Sequence, residues 1–175
     1  MTGKQDIQGE QHAILGLIDH GSRRLLTLVT VPNKSAWTLL GYLFLAIGRF
    51  GKPQAIRSDN ERMFTGKVFR AALRLVGIRQ QFSDLGCPWQ NGRIERLFGT
   101  LKGKLDLWRV LDGEQLHGAL KQFHFWYNAV RPHQNLGGRT PLEVWRGIDP
   151  YRQPAKRETW FEAWDGLLQG YHLRF

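Results

Sequence analysis

Cysteine is nearly absent from this sequence: Cys87 is the only one in 175 residues. A single thiol excludes an internal disulfide framework and every zinc site built on paired cysteines. Its Pro- and Gly-rich surroundings make Cys87 a loop residue rather than a nucleophile, and a reducing cytoplasm is the compatible setting. A long apolar run is also missing. The longest, AWTLLGYLFLAIGRF, is broken by Gly41 and Gly48 and reaches Arg49, too short and too punctuated to cross a bilayer. The opening MTGKQDIQGEQ is polar, which is not the pattern of a signal peptide. Acidic residues are few: 15 Asp and Glu stand against 25 Lys and Arg, a net charge of +10. That imbalance selects a polyanionic partner, nucleic acid first, over a membrane.

What is present is enough for one domain with a core, since 42% of the residues are hydrophobic and 12% aromatic. HAILGLID and LLTLVTV are β-rich runs separated by HGSRR, which reads as a hairpin stopped by Pro32. Ser35 is placed to cap a helix reaching Arg49, with Gly51 beyond its end. PQAIRSD is a short strand ending in Asp59. Thr65 is placed to cap GKVFRAALRLV, whose Val68, Ala71, Ala72 and Leu75 recur at helical spacing as a core face; Lys67, Arg70 and Arg74 fall on its outer face. IRQQFS is a further strand. CPWQNGRIERLFGTLK opens as a loop and becomes a helix, and a long aromatic helix follows from Asp112 to Val130. Thr140 and Pro141 start a short helix at its N-cap and first turn. A hairpin followed by βαβ crossovers predicts an α/β fold with a mixed sheet covered by helices. Residues 1–148 form this core. Residues 149–175 shift in composition to a Trp- and Arg-rich appendage, in which Trp160 and Trp164, four apart, are expected on one helix face.

Two carboxylates stand out. Asp59 closes a strand, where ligands of α/β sheets bind. Glu95 lies on the helix after the Asn91–Gly92 loop, along one edge of an apolar stripe of Ile94, Leu97, Phe98, Leu101 and Leu105, with Asn91 and Lys102 on the same edge. Two carboxylates brought together repel unless a cation lies between them, and a hard divalent ion flanked by phosphate-binding Arg93, Arg96 and Lys102 satisfies both. A lone helix glutamate ordinarily just pairs with Lys or Arg one turn away, so this reading needs more than Glu95.

The additional weight comes from a resemblance. AIRSDNERMFTG, GCPWQNGRIERLFGTLK, LIDHGSRRLL and WYNAVRPHQNLGGRTPLEVW, in this order over roughly residues 10–148, resemble the catalytic core of retroviral-type integrases and related bacterial insertion-sequence transposases. The thirty-five residues between Asp59 and Glu95 match that family's usual spacing. The resemblance implies an RNase H-like fold, three acidic residues holding two Mg²⁺ or Mn²⁺ ions, and metal-dependent cleavage and strand transfer of DNA ends. Asp59 matches the second acid and Glu95 the third, both catalytic and metal-binding; Asn91, Arg96 and Lys102 fall where the family meets DNA. The implied partners are transposon ends and target DNA, with a homo-oligomer and no membrane.

The first acid has no match. The family carries it in a tryptophan–x–x–Asp pattern before the strand that here reads AILGLID, and no tryptophan precedes that strand. Asp19 matches a family position that is not catalytic. Asp6, thirteen residues earlier in a polar context, is the one candidate within the chain. The simpler expectation is an N-terminally truncated core with an incomplete first strand, without the upstream helix-turn-helix or zinc-binding region of full-length relatives. Such a chain is either an enzyme or an inactive core that only binds DNA or a full-length relative. His133 in RPHQNLGG is expected to tie a loop, and Trp126 and Tyr127 to lie in the core.

Overall fold

The architecture was obtained as a computed structural model, which describes residues 1–59, 61–82 and 91–175. Its centre is an antiparallel hairpin of β2 (Gln11–Ile18) and β3 (Leu25–Val31), with β1 (Thr2–Gln5) on the outer edge of β2. Alternation along these strands sends neighbouring side chains to opposite faces. Ile14 and Leu28 enter one core with α4 (Gly92–Leu105) and α5 (Gly113–Ala129). Leu15 and Val31 enter a second core with α1 (Ala36–Phe50) and α3 (Lys67–Leu75). The hairpin is thus the middle layer between helices. Asn128, buried on α5, locks the layers: its Oδ1 accepts from Leu25 N and its Nδ2 donates to Leu25 O, each at 2.8 Å.

The expected strands and caps are present. Ser35 accepts from Thr38 N at the start of α1, and Gly51 ends it at φ 91°. β4 (Ala55–Ser58) pairs in parallel with β5 (Arg79–Phe82) in a separate two-stranded sheet. Thr140 caps α6 (Pro141–Arg146) in a reciprocal pair with Glu143. The sheet is divided rather than continuous among the described residues. β1 pairs with Gln11–Ile14 only, so Leu15–Ile18 of β2 have no strand on that side, and β4 is paired on one edge alone. A cleft of about 640 Å³, lined by Gly16, Ile18, Ile56 and Arg57 among others, runs between the two sheets.

Three local expectations are corrected. Thr65 caps nothing: it ends a one-turn helix α2 (Arg62–Thr65), its hydroxyl donates to Arg62 O, and Gly66 precedes α3. The buried face of α3 is Phe69 and Leu73, not Val68 and Leu75, which are 41% and 88% exposed. Phe69 is drawn in by edge-to-face packing on Phe64, at 5.4 Å between ring centres. Trp160 and Trp164 share no helix. They lie on a hairpin of β6 (Arg157–Ala163) and β7 (Leu168–Arg174), where Trp160 is half exposed and Trp164 turns into the core at φ 55°. The Cys87 loop lies outside the described residues.

Candidate active site

The site begins with the end of β4. Asp59 follows its last residue, and Asp59 Oδ1 accepts from Glu61 N at 3.2 Å, so the turn into α2 fixes where the carboxylate sits. Glu95 stands in the first turn of α4, where the unpaired amides of the helix start favour negative charge. Its neighbours Leu97, Leu101 and Leu105 are fully buried, with Ile94 and Phe98 packed against the same core. That anchoring leaves Glu95 on the exposed edge of the stripe. Gly16 of β2 allows the approach: a Cβ there would stand 3.0 Å from the Phe98 ring, so a larger residue makes that ring give way.

Asp59, Glu95 and Asn91 line one cavity of about 190 Å³. Met1, Ser58 and Phe64 share its wall. Asn91 precedes α4 without spending its side chain on a cap, which keeps its amide available to the cavity. Ser58 is buried, and its Oγ has no hydrogen-bond partner. The polar lining therefore includes two carboxylates, an amide and an orphaned hydroxyl. All offer oxygen, the donor that a hard divalent cation such as Mg²⁺ takes, with water and phosphate filling the remaining positions. The residues fit such an ion. Asn91 shares the cavity with Glu95, as its place on the same edge implied; Ser58 facing that space was not legible beforehand, and its adjacency to Asp59 was its only signal.

The other expected site residues are dispersed. Lys102 and Arg96 are exposed on α4 and outside the cavity wall. Arg96 Nη1 donates to Asn135 Oδ1 at 2.8 Å and Arg23 Nη1 donates to the same oxygen at 3.1 Å, with the Asn135 amide turned to accept. Asn135 of the RPHQNLGG stretch thus bridges α4 and the β2–β3 turn. Asp6 is not at the cavity. Its Oδ1 accepts from Gln8 N and Glu10 N and its Oδ2 meets His12 Nε2 at 2.9 Å, holding the β1–β2 turn closed. The His12 hydrogen bond, with the two backbone amides, holds its carboxyl below the ordinary range. Five residues of extended chain, about 17 Å, separate it from the Met1 end that lines the cavity. Asp19 likewise serves a turn, accepting from Ser22 N and Oγ at 2.7 Å. His133 is buried with its Nε2 donating to Tyr127 O and its ring against Tyr127, away from the acids. The cleft beside the site is basic: Arg57, Arg93, Lys52 and His20 line it. Partial burial, then the charges of Arg93 and Arg57, hold His20 below its ordinary pKa.

An integrase core domain family model matches residues 76–141. The chain is 30% identical over 94 residues to an uncharacterized 39.2 kDa protein of insertion element IS476 from Xanthomonas euvesicatoria, covering 53% of this chain and 27% of that protein. It is 27% identical over 90 residues to the transposase of insertion sequence element IS904 from Lactococcus lactis, covering 50% of this chain and 36% of the transposase. It therefore spans roughly a quarter to a third of the length of these relatives. In fold it is similar to the HTLV-2 integrase catalytic core domain solved with magnesium, in a trimeric form, at a TM-score of 0.64 and 17% identity, covering 82% of this chain and 90% of that one. That likeness makes the divided α/β sheet an RNase H-like fold. No helix among the described residues is long and apolar enough to cross a membrane. Motif stretch, insertion-element relatives and fold agree in what the chain is similar to: the integrase core domains of transposases and integrases.

Proposed function

We propose that this chain acts on DNA as an integrase-like core for metal-dependent cleavage and strand transfer, with Asp59 and Glu95 as the catalytic, metal-holding carboxylates. One observation carries the proposal: these acids, with thirty-five residues between them in sequence, line the same cavity. They would hold Mg²⁺ or Mn²⁺, and a pair of ions when bound supplies Lewis-acid stabilisation of both the attacking and the leaving oxygen of a phosphodiester. Asn91 orients a phosphate at the mouth. Arg57 and Arg93 in the adjoining cleft, with Arg96 and Lys102 on the outer face of α4, carry the strand by its backbone. Phe64, Ile94 and Phe98 restrict water on the apolar side.

A second reading, DNA binding without cleavage, has its own support: among the described residues, no third carboxylate lines this cavity. The position a third would take follows from register. Thr2 pairs with Ile14, so a residue joined ahead of Met1 would run along β2 past Leu15 and Gly16, which line the cavity with Asp59. The discriminating experiment is a plasmid-nicking and strand-transfer assay in Mg²⁺ and in Mn²⁺ on three proteins: the 175-residue chain, the chain with an Asp-bearing extended segment joined to Met1, and that extended chain carrying Asp59→Asn. The expected order is weak, strong and none. Cleavage that survives both Asp59→Asn and Glu95→Gln sinks the assignment. Full activity of the 175-residue chain, abolished by Asp6→Asn, makes Asp6 the first acid instead.

A further inference from the structure

The outer face of the β6–β7 hairpin carries charge of the opposite sign to the protein as a whole. Strand alternation sends Glu158, Trp160 and Glu162 of β6 to one side, with Leu173, Tyr171 and Gln169 of β7 opposite them in register. The inner side is used by the fold. Phe161 and His172 pack on Phe125 of α5, at 5.1 and 5.0 Å between ring centres, and a Cβ on Gly170 would stand 2.9 Å from the Val130 side chain. The outer side stays open: Trp160 is 50% and Tyr171 59% exposed, and Glu158 and Glu162 are exposed as well. Arg157 and Arg174 alternate to the inner side, and Lys156 precedes the strand, so the six outer residues include two carboxylates and no cation.

Trp160 and Tyr171 stand edge-to-face, 5.1 Å apart at 72°. Trp160 Nε1 donates to Glu162 Oε2 at 3.2 Å, which holds the indole along the strand. The chain has 25 Lys and Arg, yet neither Glu158 nor Glu162 has an ion pair among the described residues. Aromatic faces attract cations, and adjacent carboxylates supply the counter-charge. A guanidinium fits both, because it stacks flat on indole and donates a planar fork to a carboxylate. Glu158 and Glu162 lie two residues to either side of Trp160, about 7 Å each way, which is also the spacing of alternate residues in an extended chain. We infer that this face docks an extended, arginine-bearing segment of another protein, with arginines at alternate positions set over Glu158, the Trp160–Tyr171 pair and Glu162. Nucleic acid is not the occupant, since two carboxylates repel phosphate and no cation on the face offsets them. None of these residues lines the cavity of Asp59 and Glu95 or the basic cleft beside it, so the inference does not rest on the metal-site assignment.

The net charge of +10 acts as a filter, because it repels a cationic peptide from most of the surface and leaves an acidic patch to capture it. The probe is an acetylated, amidated pentapeptide of alternating arginine and serine. Isothermal titration of the full chain at low salt should show single-site binding with a dissociation constant of about 10–500 µM. The same peptide with citrulline in place of arginine should give no binding. Glu158→Gln with Glu162→Gln keeps an acceptor for the Trp160 indole and removes both charges. It should raise the dissociation constant at least about tenfold, with the melting temperature unchanged and affinity for an oligothymidylate undiminished. Trp160→Ser should raise it at least about fivefold. No heat at millimolar peptide, equal binding of the citrulline peptide, or glutamines without effect would each overturn the inference. So would Trp160→Ser lowering oligothymidylate affinity, which assigns the face to nucleic acid, or lowering the sedimenting mass of the chain, which assigns it to a second copy.

Discussion

Acidification from pH 7 to pH 5 charges the His133 imidazole in the unfolded chain, while the fold keeps it neutral. His133 is 6% exposed, its ring stands edge-on to Tyr127 at 4.6 Å, and Arg131 Nη1 lies 3.4 Å from the ring nitrogens. Burial first, and the Arg131 charge second, lower its pKa from 6.5 to about 4. The unfolded chain takes up this proton below pH 6.5, and the folded chain refuses it until about pH 4. The stability from a neutral His133 is therefore complete above 6.5 and is lost as pH falls through the interval. At about 1.36 kcal/mol per unit the whole interval is worth about 3 kcal/mol, of which about 2 is lost by pH 5. Urea unfolding at several pH values, on the wild type and His133→Gln, measures it. Glutamine retains a donor for Tyr127 O but does not titrate. His124 and His172 are held low by burial as well, and contribute equally to both proteins. The wild type should lose about 2 kcal/mol more than the variant between pH 7 and 5. Parallel profiles would refute a buried, neutral structural histidine.

Thr140→Ala removes one half of the buried Thr140–Glu143 reciprocal cap, the 3.3 Å bond that Thr140 Oγ1 accepts from Glu143 N, and keeps the 2.7 Å bond from the backbone amide of residue 140 to Glu143 Oε2; it should cost about 1 kcal/mol in denaturant unfolding, and no measurable loss would contradict the cap. Asn128→Ala leaves both backbone groups of Leu25 unpaired inside the fold, with an expected loss of about 2–4 kcal/mol; a midpoint close to wild type would show that water replaces the amide. DNA affinity should fall steeply between low and physiological salt, because many basic segments neutralise phosphates; a flat response in filter binding would remove the electrostatic account. Asp59→Asn should abolish metal-dependent cleavage by the extended chain while leaving its DNA affinity within about twofold, and equal loss of both would point to misfolding instead.

Elements marked by local chemistry were legible in the sequence. Ser35 and Thr140 cap their helices because a short oxygen side chain answers free amides within three residues, an interaction that needs no tertiary partner. The β2–β3 hairpin and the stripe of α4 were legible for the same reason: their periods are intrinsic to strand and helix. The acids could be named by motif before any geometry. What tertiary structure decided was every choice between faces and partners. In α3 two apolar edges compete in nine residues, and only packing on Phe64 selects Phe69 over Val68. Trp160 and Trp164 suit a helix by spacing, but Arg157–Ala163 finds a strand partner in Leu168–Arg174, and cross-strand hydrogen bonds outweigh a spacing of four. Asp6 and Asp59 are both aspartates in polar surroundings. Asp6 closes a turn on its own backbone, while Asp59 ends a strand opposite Glu95's helix, and that difference lies in long-range packing, which no local pattern encodes.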